Sequence, residues 1–410
     1  MSDKTILVVG TYDTKDDELN YLAERIRAQG GNVLSMDVSV LGDPTHPTDY
    51  SKHQVAEEGG SSIQAAIDSG DENQAMQIMA TGAAALSARL FRHEVFDGVI
   101  ILGGTMGTDL ALDVCAALPL GVPKYIVSTV SFSPLIPVER LAADTQMILW
   151  AGGLYGLNSI CKSSLSQAAG AVLGAARSVE PPQKEKPLIG MTSLGKSALK
   201  YMVPLKPMLE ERGFEVAVFH ATGMGGRAFE TLAGQGVFAC VFDFCTQELG
   251  NYIHGSDISA GADRLTNAGQ SGTPQIVAPG CYDLVDIAGW RDIPAKWAHH
   301  INHAHNRLLT SIVLNNEERR AVADAHAKQL AKAKSETVFI LPTGGCGEWD
   351  RPGEDLHNPD GLAAFCDQMR KSCPDNMILK EIDAHINDAA FADAAISIFD
   401  EWCETGIVAR

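Results

Sequence analysis

Two glycine-rich segments of this sequence carry residue types that bind phosphate. The first, Gly10–Asp16, follows a short apolar run. Thr11 and Thr14 offer hydroxyl groups, and Lys15 offers a positive charge for a phosphate. Asp13 could hold a metal-bound water, a ribose or a substrate amine. The alternative is an ordinary helix start in which Asp13 or Thr14 serves only as a cap.

The second segment, Ile101–Asp109, also runs from an apolar stretch into a helical pattern. Glycine lets the backbone approach a phosphate closely, and the first amide groups of the helix supply donors. The alternative is a tight turn that needs positive φ. The residues predicted to bind phosphate here are Gly103, Gly104, Thr105, Gly107 and Thr108.

Neither segment matches G-x-G-x-x-G or G-x-x-x-x-G-K-[ST], the strong nucleotide fingerprints. A standard dinucleotide dehydrogenase and a standard P-loop NTPase are therefore disfavoured, and an NAD-dependent oxidoreductase is the weakest function considered. Asp37 lies near the end of the second predicted strand, where an acid that binds ribose is expected. Without the fingerprint, Asp37 is equally well a structural residue.

The second half of the chain contains four comparable turns after apolar strands, and we expect them to form a polar pocket at one sheet edge. Arg227, at a predicted helix start, suits a bidentate hold on carboxylate or phosphate, or else a surface ion pair. The residues predicted to contact substrate are Thr192, Gly223, Gly225, Gly226, Arg227 and Gly280.

Candidate acid–base groups are His385, Asp283 and Glu248, if the protein is an enzyme. Cys281 and Cys346 stand beside glycine turns, but nothing in the sequence indicates a lowered thiol pKa, which favours a role as buried fillers. Four histidines cluster in the sequence, and His299 and His303 would share one face if that segment were helical. No carboxylate or cysteine stands near them at a spacing typical of metal ligands, so no metal site is predicted. These histidines are His299, His300, His303 and His305.

Short apolar runs alternate with amphipathic segments, beginning at Lys4–Val9 and restarting at Pro187–Met191. This pattern predicts an α/β fold of two Rossmann-like three-layer domains with mostly parallel, doubly wound sheets. The polar segment Ser178–Lys186 is the predicted linker. Residues 1–180 would form a nucleotide-binding domain, and residues 187–410 a domain for a substrate or partner. A helix is predicted over 316–334, with Asn316 as its N-cap.

Composition limits the partners. The formal charge is −19, with 51 acidic and 32 basic residues among 410, so the protein should repel nucleic acid. The nine cysteines show no C-x-x-C spacing, which is typical of reduced thiols in the cytoplasm. No signal-peptide pattern opens the chain, and the longest uncharged stretch, Thr145–Cys161, is too short to span a membrane. We therefore expect a cytoplasmic protein without membrane or nucleic-acid partners.

Taken jointly, several motifs are specific. They are Gly10–Lys15, Gly103–Thr108, His220–Arg227, Ser259–Leu265, Pro279–Asp283 and Ala384–Asp388. With these motifs the chain resembles, over nearly its whole length, a bacterial and plant family similar to the ATP-binding N-terminal region of the plant tobamovirus-resistance protein. The turn Gly344–Glu348 departs from the serine-containing form of that family, which puts any shared hydroxyl chemistry there in doubt.

The resemblance implies two Rossmann-like domains, ATP binding in the first, self-association into a homo-oligomer and no settled reaction. It also implies a separate TIM-barrel-like partner protein, because the plant protein is fused to such a part. ATP, with or without Mg²⁺, is thus the expected ligand, alongside a small acidic or phosphorylated metabolite. The alternatives are an ATP-dependent ligase or phosphotransferase acting on such a metabolite, and a nucleotide-gated regulatory protein.

Overall fold

A computed structural model describes residues 3–150, 152–182 and 185–409. The chain divides into two compact units, Met1–Pro182 and Gln183–Arg410. The division falls within the polar segment Ser178–Lys186, of which Gln183 and Lys184 lie outside the described residues. No helix in the described ranges has the length and apolar character needed to cross a membrane.

Unit 1 alternates strands and helices along the chain. Its elements are β1 (Thr5–Gly10), α1 (Asp16–Ala28), β2 (Asn32–Asp37), α2 (Lys52–Glu58), α3 (Ile63–Asp68), α4 (Glu72–Arg92), β3 (Gly98–Gly103), α5 (Thr105–Ala117), β4 (Lys124–Ser128), β5 (Thr145–Leu149) and α6 (Ser159–Ser178). The strands pair in parallel in the order β2-β1-β3-β4-β5.

The alternation of side chains along β1 explains the three layers of unit 1. Ile6 and Val8 pack with Leu19 and the other apolar residues of α1 and α6 on one face. Leu7 and Val9 pack with α4 and α5 on the other face. Because successive side chains of a strand point to opposite faces, a fully apolar strand requires a helical layer on each side.

Unit 2 has the same architecture with an addition. Its elements are β6 (Leu188–Ser193), α7 (Met202–Glu211), β7 (Glu215–His220), α8 (Met224–Gly234), β8 (Cys240–Cys245), α9 (Gln247–Ile253), α10 (Asn267–Ser271), β9 (Gln275–Gly280), β10 (Leu284–Ala288), β11 (Asn302–Ala304), β12 (Leu309–Val313), α11 (Asn316–Leu330), β13 (Thr337–Pro342), α12 (Pro359–Ser372), β14 (Ile378–Ile382) and α13 (Ala389–Glu404). The parallel sheet has the order β14-β13-β9-β8-β6-β7.

The addition is a small antiparallel sheet, β10-β12-β11, inserted between β9 and α11. The sequence pattern did not predict it. The inserted sheet also places His303 in a strand, so the helical face that would join His299 to His303 does not form.

Helix α11, which follows the inserted sheet, begins at Asn316. Its N-cap is Asn315 and not the predicted Asn316, because the Asn315 side chain accepts hydrogen bonds from the amides of Glu317 and Glu318.

The predicted fold class is confirmed: both units are Rossmann-like, with mostly parallel sheets between helical layers. In each unit the chain starts at an inner strand, adds one neighbour on one side and then continues on the other side. The direction reverses between β1 and β3 in unit 1, and between β6 and β8 in unit 2. Ligands of open α/β sheets bind at the carboxyl ends of the strands at such a switch point.

Candidate functional site

The two phosphate-binding segments predicted in unit 1 meet at its switch point. Val9 of β1 pairs with Ile101 of β3, so Thr11 and Gly103 leave the sheet from neighbouring positions. Adjacent strands lie about 4.8 Å apart. The turn after β1 and the turn after β3 are therefore close together at one edge of the sheet, where the switch-point rule expects a ligand.

The turn after β1 gathers a positive charge and two hydroxyl groups. The ammonium group of Lys15 lies 3.4 Å from Thr11 Oγ1 and 3.2 Å from Thr14 Oγ1, and the two hydroxyl oxygens are 3.1 Å apart. Within the described ranges, no carboxylate forms an ion pair with Lys15. Its charge is thus free to attract an anion.

Asp13 and Asp37 have different surroundings in this turn. Asp37 is buried and accepts hydrogen bonds from the Tyr12 amide and from the amide and hydroxyl of Ser39, so it is a structural residue that fixes the turn. Burial raises the pKa of Asp37. Asp13 Oδ2 accepts a hydrogen bond from the Gly42 amide at 3.2 Å, whereas its Oδ1 has no partner among the described residues.

The turn after β3 leads into α5, whose N-cap is Gly104 in an extended conformation. A glycine has no side chain with which to cap a helix. Within the described ranges, nothing accepts a hydrogen bond from the amide groups of Thr105, Met106 and Gly107. These free donors, together with the positive end of the helix dipole, form a site that favours an anion.

Gly103 and Gly104 differ in whether the packing of the turn requires glycine at their positions. A Cβ on Gly103 would lie 2.5 Å from Gly107 Cα, so Gly103 is required for close packing of α5 on β3. A Cβ on Gly104 would lie 3.8 Å from its nearest neighbour, Thr129 Oγ1, and φ at Gly104 is −75°. Nothing in the fold therefore requires glycine at position 104, whereas close approach of a ligand would.

Thr108 is engaged inside the protein. Its hydroxyl lies 2.7 Å from the carbonyl oxygen of Gly104 and 2.6 Å from Ser128 Oγ. The side chain is buried. Of the predicted phosphate-binding residues, Thr108 thus contributes by holding the turn in shape, and its hydroxyl is not free for a ligand.

A cavity of about 550 Å³ lies beside the first turn of α5. Its walls include Thr105 and Met106 from α5, the start of α4 and the loop after β4. The first turn of α1 and the Thr11–Lys15 group do not line it. This volume is within the range that holds small molecules. Arg140, at its wall, is paired with Asp109 and Asp113.

At the carboxyl edge of the unit 2 sheet, the N-terminus of α8, which follows β7, is filled by the protein itself. The amide groups of Gly223 and Gly226, at the start of α8, donate hydrogen bonds to Glu248 Oε1. A Cβ on Gly226 would lie 1.7 Å from Glu248 Oε2. Here a carboxylate of the same chain occupies the position that the sequence assigned to a substrate anion. Glu248 is fully buried, and burial raises its pKa.

Arg264 binds Glu248 in the same cluster. Its guanidinium group also pairs with Asp243 of β8 and with Glu230 of α8, and it donates to the carbonyl oxygen of Cys245. Burial raises the pKa of Glu230 to about 7. All four charged side chains are buried, so this is an internal network and Glu248 is not available as an acid–base group.

The other predicted substrate residues of unit 2 also have partners or packing roles. Arg227 is buried and pairs with Asp263, and Thr192 binds Asp243 through its hydroxyl at 2.7 Å. A Cβ on Gly225 or Gly280 would lie 1.8 Å or 2.2 Å from a backbone carbonyl oxygen. These residues hold the carboxyl edge of the sheet together.

His385 uses both ring nitrogens within the turn it closes. Nε2 lies 2.9 Å from the Gly347 carbonyl oxygen, and Nδ1 accepts a hydrogen bond from the Asn387 amide at 3.0 Å. Burial lowers its pKa, so the ring is neutral. The third acid–base candidate, Asp283, differs, because its Oδ1 has no partner among the described residues.

Two residues near Asp283 were missed by sequence reasoning. Arg319 and Asp350 are buried beside it, and burial together with the charge of Asp283 raises the pKa of Asp350 to about 7. Arg319 stands in a run of charged helical residues, which is typical of a solvated helix surface. Asp350 follows the last glycine turn, and its position after a buried strand was the only available signal.

The cysteines and most of the histidines that the sequence singled out lie in packed or paired positions. A hydrogen bond with Cys245, together with burial, raises the thiol pKa of Cys281, and burial raises that of Cys346. His300 pairs with Glu318, and the rings of His303 and His305 contact Trp349. Across residues 3–150, 152–182 and 185–409, no group of three or more histidine, cysteine or acidic side chains could hold a metal ion.

Sequence comparison places both units in one family. A family model described as the N-terminal domain of the uncharacterised protein family UPF0261 matches residues 4–181, and the model of its C-terminal domain matches residues 186–403. The chain belongs to the UPF0261 family. The predicted resemblance to a bacterial and plant family is thereby confirmed at the level of the family.

Relatives extend over nearly the whole chain. A UPF0261 protein of Brucella melitensis is 55% identical over 405 residues, which covers 99% of this chain and 97% of the relative. One of Clostridium tetani is 34% identical over 393 residues, covering 95% and 97%. The ToMV resistance protein Tm-1(GCR237) of Solanum lycopersicum is 28% identical over 425 residues, which covers 97% of this chain and 55% of the tomato protein.

Solved structures show only distant similarity. A UDP-N-acetylglucosamine 2-epimerase is 9% identical, covering 68% of this chain and 79% of the epimerase, with a TM-score of 0.22. Staphylococcus aureus MnaA, solved with UDP, is 8% identical over 98% of this chain and 97% of MnaA, also with a TM-score of 0.22. These scores are too low to support an inference about function.

Proposed function

We propose that unit 1 of this UPF0261 protein binds a phosphorylated small molecule at its switch point, with ATP as the ligand. The observation that carries the proposal is the N-terminus of α5, where three amide groups without a partner in the described part of the chain follow a glycine that the local packing does not require. A phosphate group placed there would accept hydrogen bonds from these amides and gain from the helix dipole.

The charged residues around this site suit a phosphate group whose negative charge is partly neutralised by Lys15 and by a bound cation. Lys15, free of ion pairs among the described residues, lies on the neighbouring turn with the hydroxyls of Thr11 and Thr14. Against this, α1 carries three acidic residues in its first turn, which oppose a bare polyanion. A Mg²⁺ ion would relieve that repulsion, and the unpartnered Asp13 Oδ1 is the protein oxygen suited to hold it or one of its waters.

The cavity beside α5 can accept the remainder of the ligand. Thr105 and Met106 lie both at the start of α5 and at the cavity wall, so a phosphate bound to the amides would direct the rest of the molecule inward. The acidic residues at the wall, such as Asp71 and Glu72, are suited to bind hydroxyl and amino groups rather than further phosphates. A nucleoside phosphate fits this arrangement, because its phosphate would bind the amides while its sugar hydroxyls and base amino group would face the acidic wall.

The test uses Gly104→Ser and isothermal titration with ATP in the presence of Mg²⁺. Serine at an N-cap accepts hydrogen bonds from the helix amides, so the variant would fill the proposed phosphate site with its own hydroxyl. We expect ATP affinity to fall about ten-fold or more, in line with the loss of a charge-assisted hydrogen bond of about 1.5–3 kcal/mol, while the melting temperature stays equal or rises.

The matched control is Gly174→Ala in α6, where the added methyl group meets nothing within 4 Å. It should leave both ATP affinity and fold unchanged. Absence of ATP binding by the unmodified protein would remove ATP as the ligand. Unchanged affinity in a folded Gly104→Ser variant would remove the α5 N-terminus as the site.

Self-association and a separate TIM-barrel-like partner stay predictions. The matched part covers 55% of the tomato protein, which therefore continues beyond it. If a partner replaces that continuation in bacteria, ATP should alter its affinity for this chain. Analytical ultracentrifugation with and without ATP would measure the oligomeric state.

A further inference from the structure

Three buried side chains at the carboxyl edge of the unit 2 sheet leave polar atoms without partners. They are Asp283, Arg319 and Asp350, whose side chains are 4%, 0% and 2% exposed. Among the described residues, nothing bonds to Asp283 Oδ1, to Asp350 Oδ2 or to either terminal nitrogen of Arg319. Unpaired polar groups destabilise a fold when buried, so a cluster of them indicates a role other than stability.

Arg319 and Asp350 are each held by one side-chain atom and leave another without a hydrogen bond. Arg319 Nε donates to the Leu314 carbonyl oxygen at 2.9 Å, and the far end of the guanidinium group lies beside the Tyr282 ring without a partner in hydrogen-bond geometry among the described residues. Its Nη2 lies 3.7 Å from Asp283 Oδ2, which is too long for a hydrogen bond. Asp350 Oδ1 accepts a hydrogen bond from the Asn358 amide at 2.9 Å, and its Oδ2 stays free.

The sequence and topology bring the three residues together from separate elements. Asp283 follows β9, Arg319 lies in the first turns of α11, and Asp350 ends the short 3-10 helix after β13. Strands β9 and β13 are neighbours in the sheet, so the segments that follow them leave the same edge. This is the edge at which α/β proteins bind ligands.

The unpartnered atoms specify what a ligand must offer. Two terminal nitrogens of Arg319 require acceptors, and Asp283 Oδ1 requires a donor. An ammonium group has no acceptor for Arg319, and a carboxylate has no donor for Asp283. A hydroxyl group both donates and accepts, so two adjacent hydroxyls can join the guanidinium group to the carboxyl groups.

Charge points the same way. The single positive charge of Arg319 faces two acidic side chains, Asp283 and Asp350, so the cluster offers no excess positive charge to an anion. A neutral ligand therefore suits this cluster better than an anion. We propose that Asp283, Arg319 and Asp350 form a binding site for the vicinal hydroxyl groups of a neutral polyol such as a sugar.

Solvent lies close to the site on one side. The side chain of His357 is 34% exposed, and its Nδ1 lies 3.2 Å from the Asp350 carbonyl oxygen. The segment that leads to it is exposed except at Leu356, which packs in a small cluster with Leu284 and Val313 outside the main core. The cluster therefore lies close to the protein surface at this segment.

The contrast with Arg264 shows that burial alone does not produce this arrangement. Arg264 is equally buried, yet its guanidinium nitrogens contact three acids and a carbonyl oxygen. That cluster is complete within the protein. The cluster around Arg319 is complete only with a further molecule.

The experiment is saturation-transfer difference NMR on the full chain, with D-ribose, D-xylose, D-glucose and myo-inositol as probes. Cyclohexanol, with one hydroxyl, and lactate, with a carboxylate, serve as comparison probes. We expect at least one polyol to bind, and its affinity to fall ten-fold or more in Asp283→Asn and in Arg319→Met. Arg212→Met, at a surface ion pair with Asp400, should change nothing.

Asp350→Asn keeps the test decisive if Arg319→Met fails to fold, because the amide is close in shape to the carboxyl group. Three outcomes overturn the proposal. They are no binding of any polyol, binding that is unchanged in Asp283→Asn and Asp350→Asn, and a crystal structure grown with the polyols in which one ordered water alone contacts all three side chains. The site is independent of ATP binding in unit 1.

Discussion

The two units share a strand-order pattern and glycine-rich turns at the carboxyl edges of their sheets, yet they differ in what binds the amides of the helices that follow these turns. In unit 1 the amides at the start of α5 have no partner among the described residues, whereas in unit 2 those of α8 bind Glu248. Glycine-rich turns thus identify where an anion can bind, not whether it is external. The deciding feature is whether the chain supplies the anion itself.

Removal of Arg264 should have the largest effect and would show that the unit 2 switch point is structural. Arg264→Met leaves Asp243, Glu230 and Glu248 buried without their cation, so we expect a loss of about 3–5 kcal/mol in the free energy of unfolding. Urea denaturation measures it. Arg212→Met, the matched surface change, should cost about 1 kcal/mol or less. Equal losses in the two variants would contradict an internal network.

A pair of glycine substitutions compares the two turns directly. Gly226→Ala places a methyl group against Glu248, and we expect a loss of about 3 kcal/mol from overpacking. The methyl group of Gly104→Ala in unit 1 would meet only Thr129 Oγ1, at an ordinary contact distance of 3.8 Å, and should change stability by about 0.5 kcal/mol or less. Thermal unfolding of both variants provides the measurement. A destabilised Gly104→Ala would mean that the fold itself requires that glycine.

The pH dependence of stability tests the second buried cluster of unit 2. The pKa of Asp350 is raised from 3.8 to about 7 in the folded state, so its ionisation destabilises the fold as pH rises through that interval. Asp350→Asn cannot ionise. Its stability relative to the unmodified protein should therefore be near equal below pH 3.8 and rise by about 4 kcal/mol above pH 7. A difference that does not grow with pH would contradict the raised pKa.

The smallest expected effect concerns the cation of unit 1. Lys15→Ala removes the free charge beside Thr11 and Thr14, and we expect ATP affinity to fall about ten-fold, which corresponds to about 1.4 kcal/mol. Calorimetric titration measures this loss. The control is Lys4→Ala, at the opposite edge of the sheet and paired with Asp97. If the two variants bind ATP equally, the turn after β1 does not contribute to the site.

The sequence predicted the frame well because buried parallel strands are continuous apolar runs. Strands such as β1 and β6, and the turns that follow them, lie where the pattern placed them. The antiparallel sheet β10-β12-β11 was missed because its strands are short and mix polar with apolar residues, such as Asp286 and His303.

The partners of the site residues could not be predicted in the same way. Glu248 lies 25 positions from Gly223, and only the folded chain shows that its carboxylate reaches those amides. Asp350 and Arg319 lack a motif, because their significance comes from atoms left unbonded after folding. The local sequence pattern therefore predicted which turns lie at the carboxyl edge of each sheet. Contacts between residues far apart in the sequence determine which of those turns have amide groups available to a ligand.

The antiparallel sheet inserted after β9 has a consequence for how the family can diversify. Asp283 immediately precedes it and Arg319 follows soon after, while its two ends are tied by the Leu284–Val313 pairing and by the hydrogen bond from the Leu314 amide to the Asp283 carbonyl oxygen. The exposed turn between β11 and β12, residues 305–308, can therefore lengthen or shorten during evolution without displacing either residue.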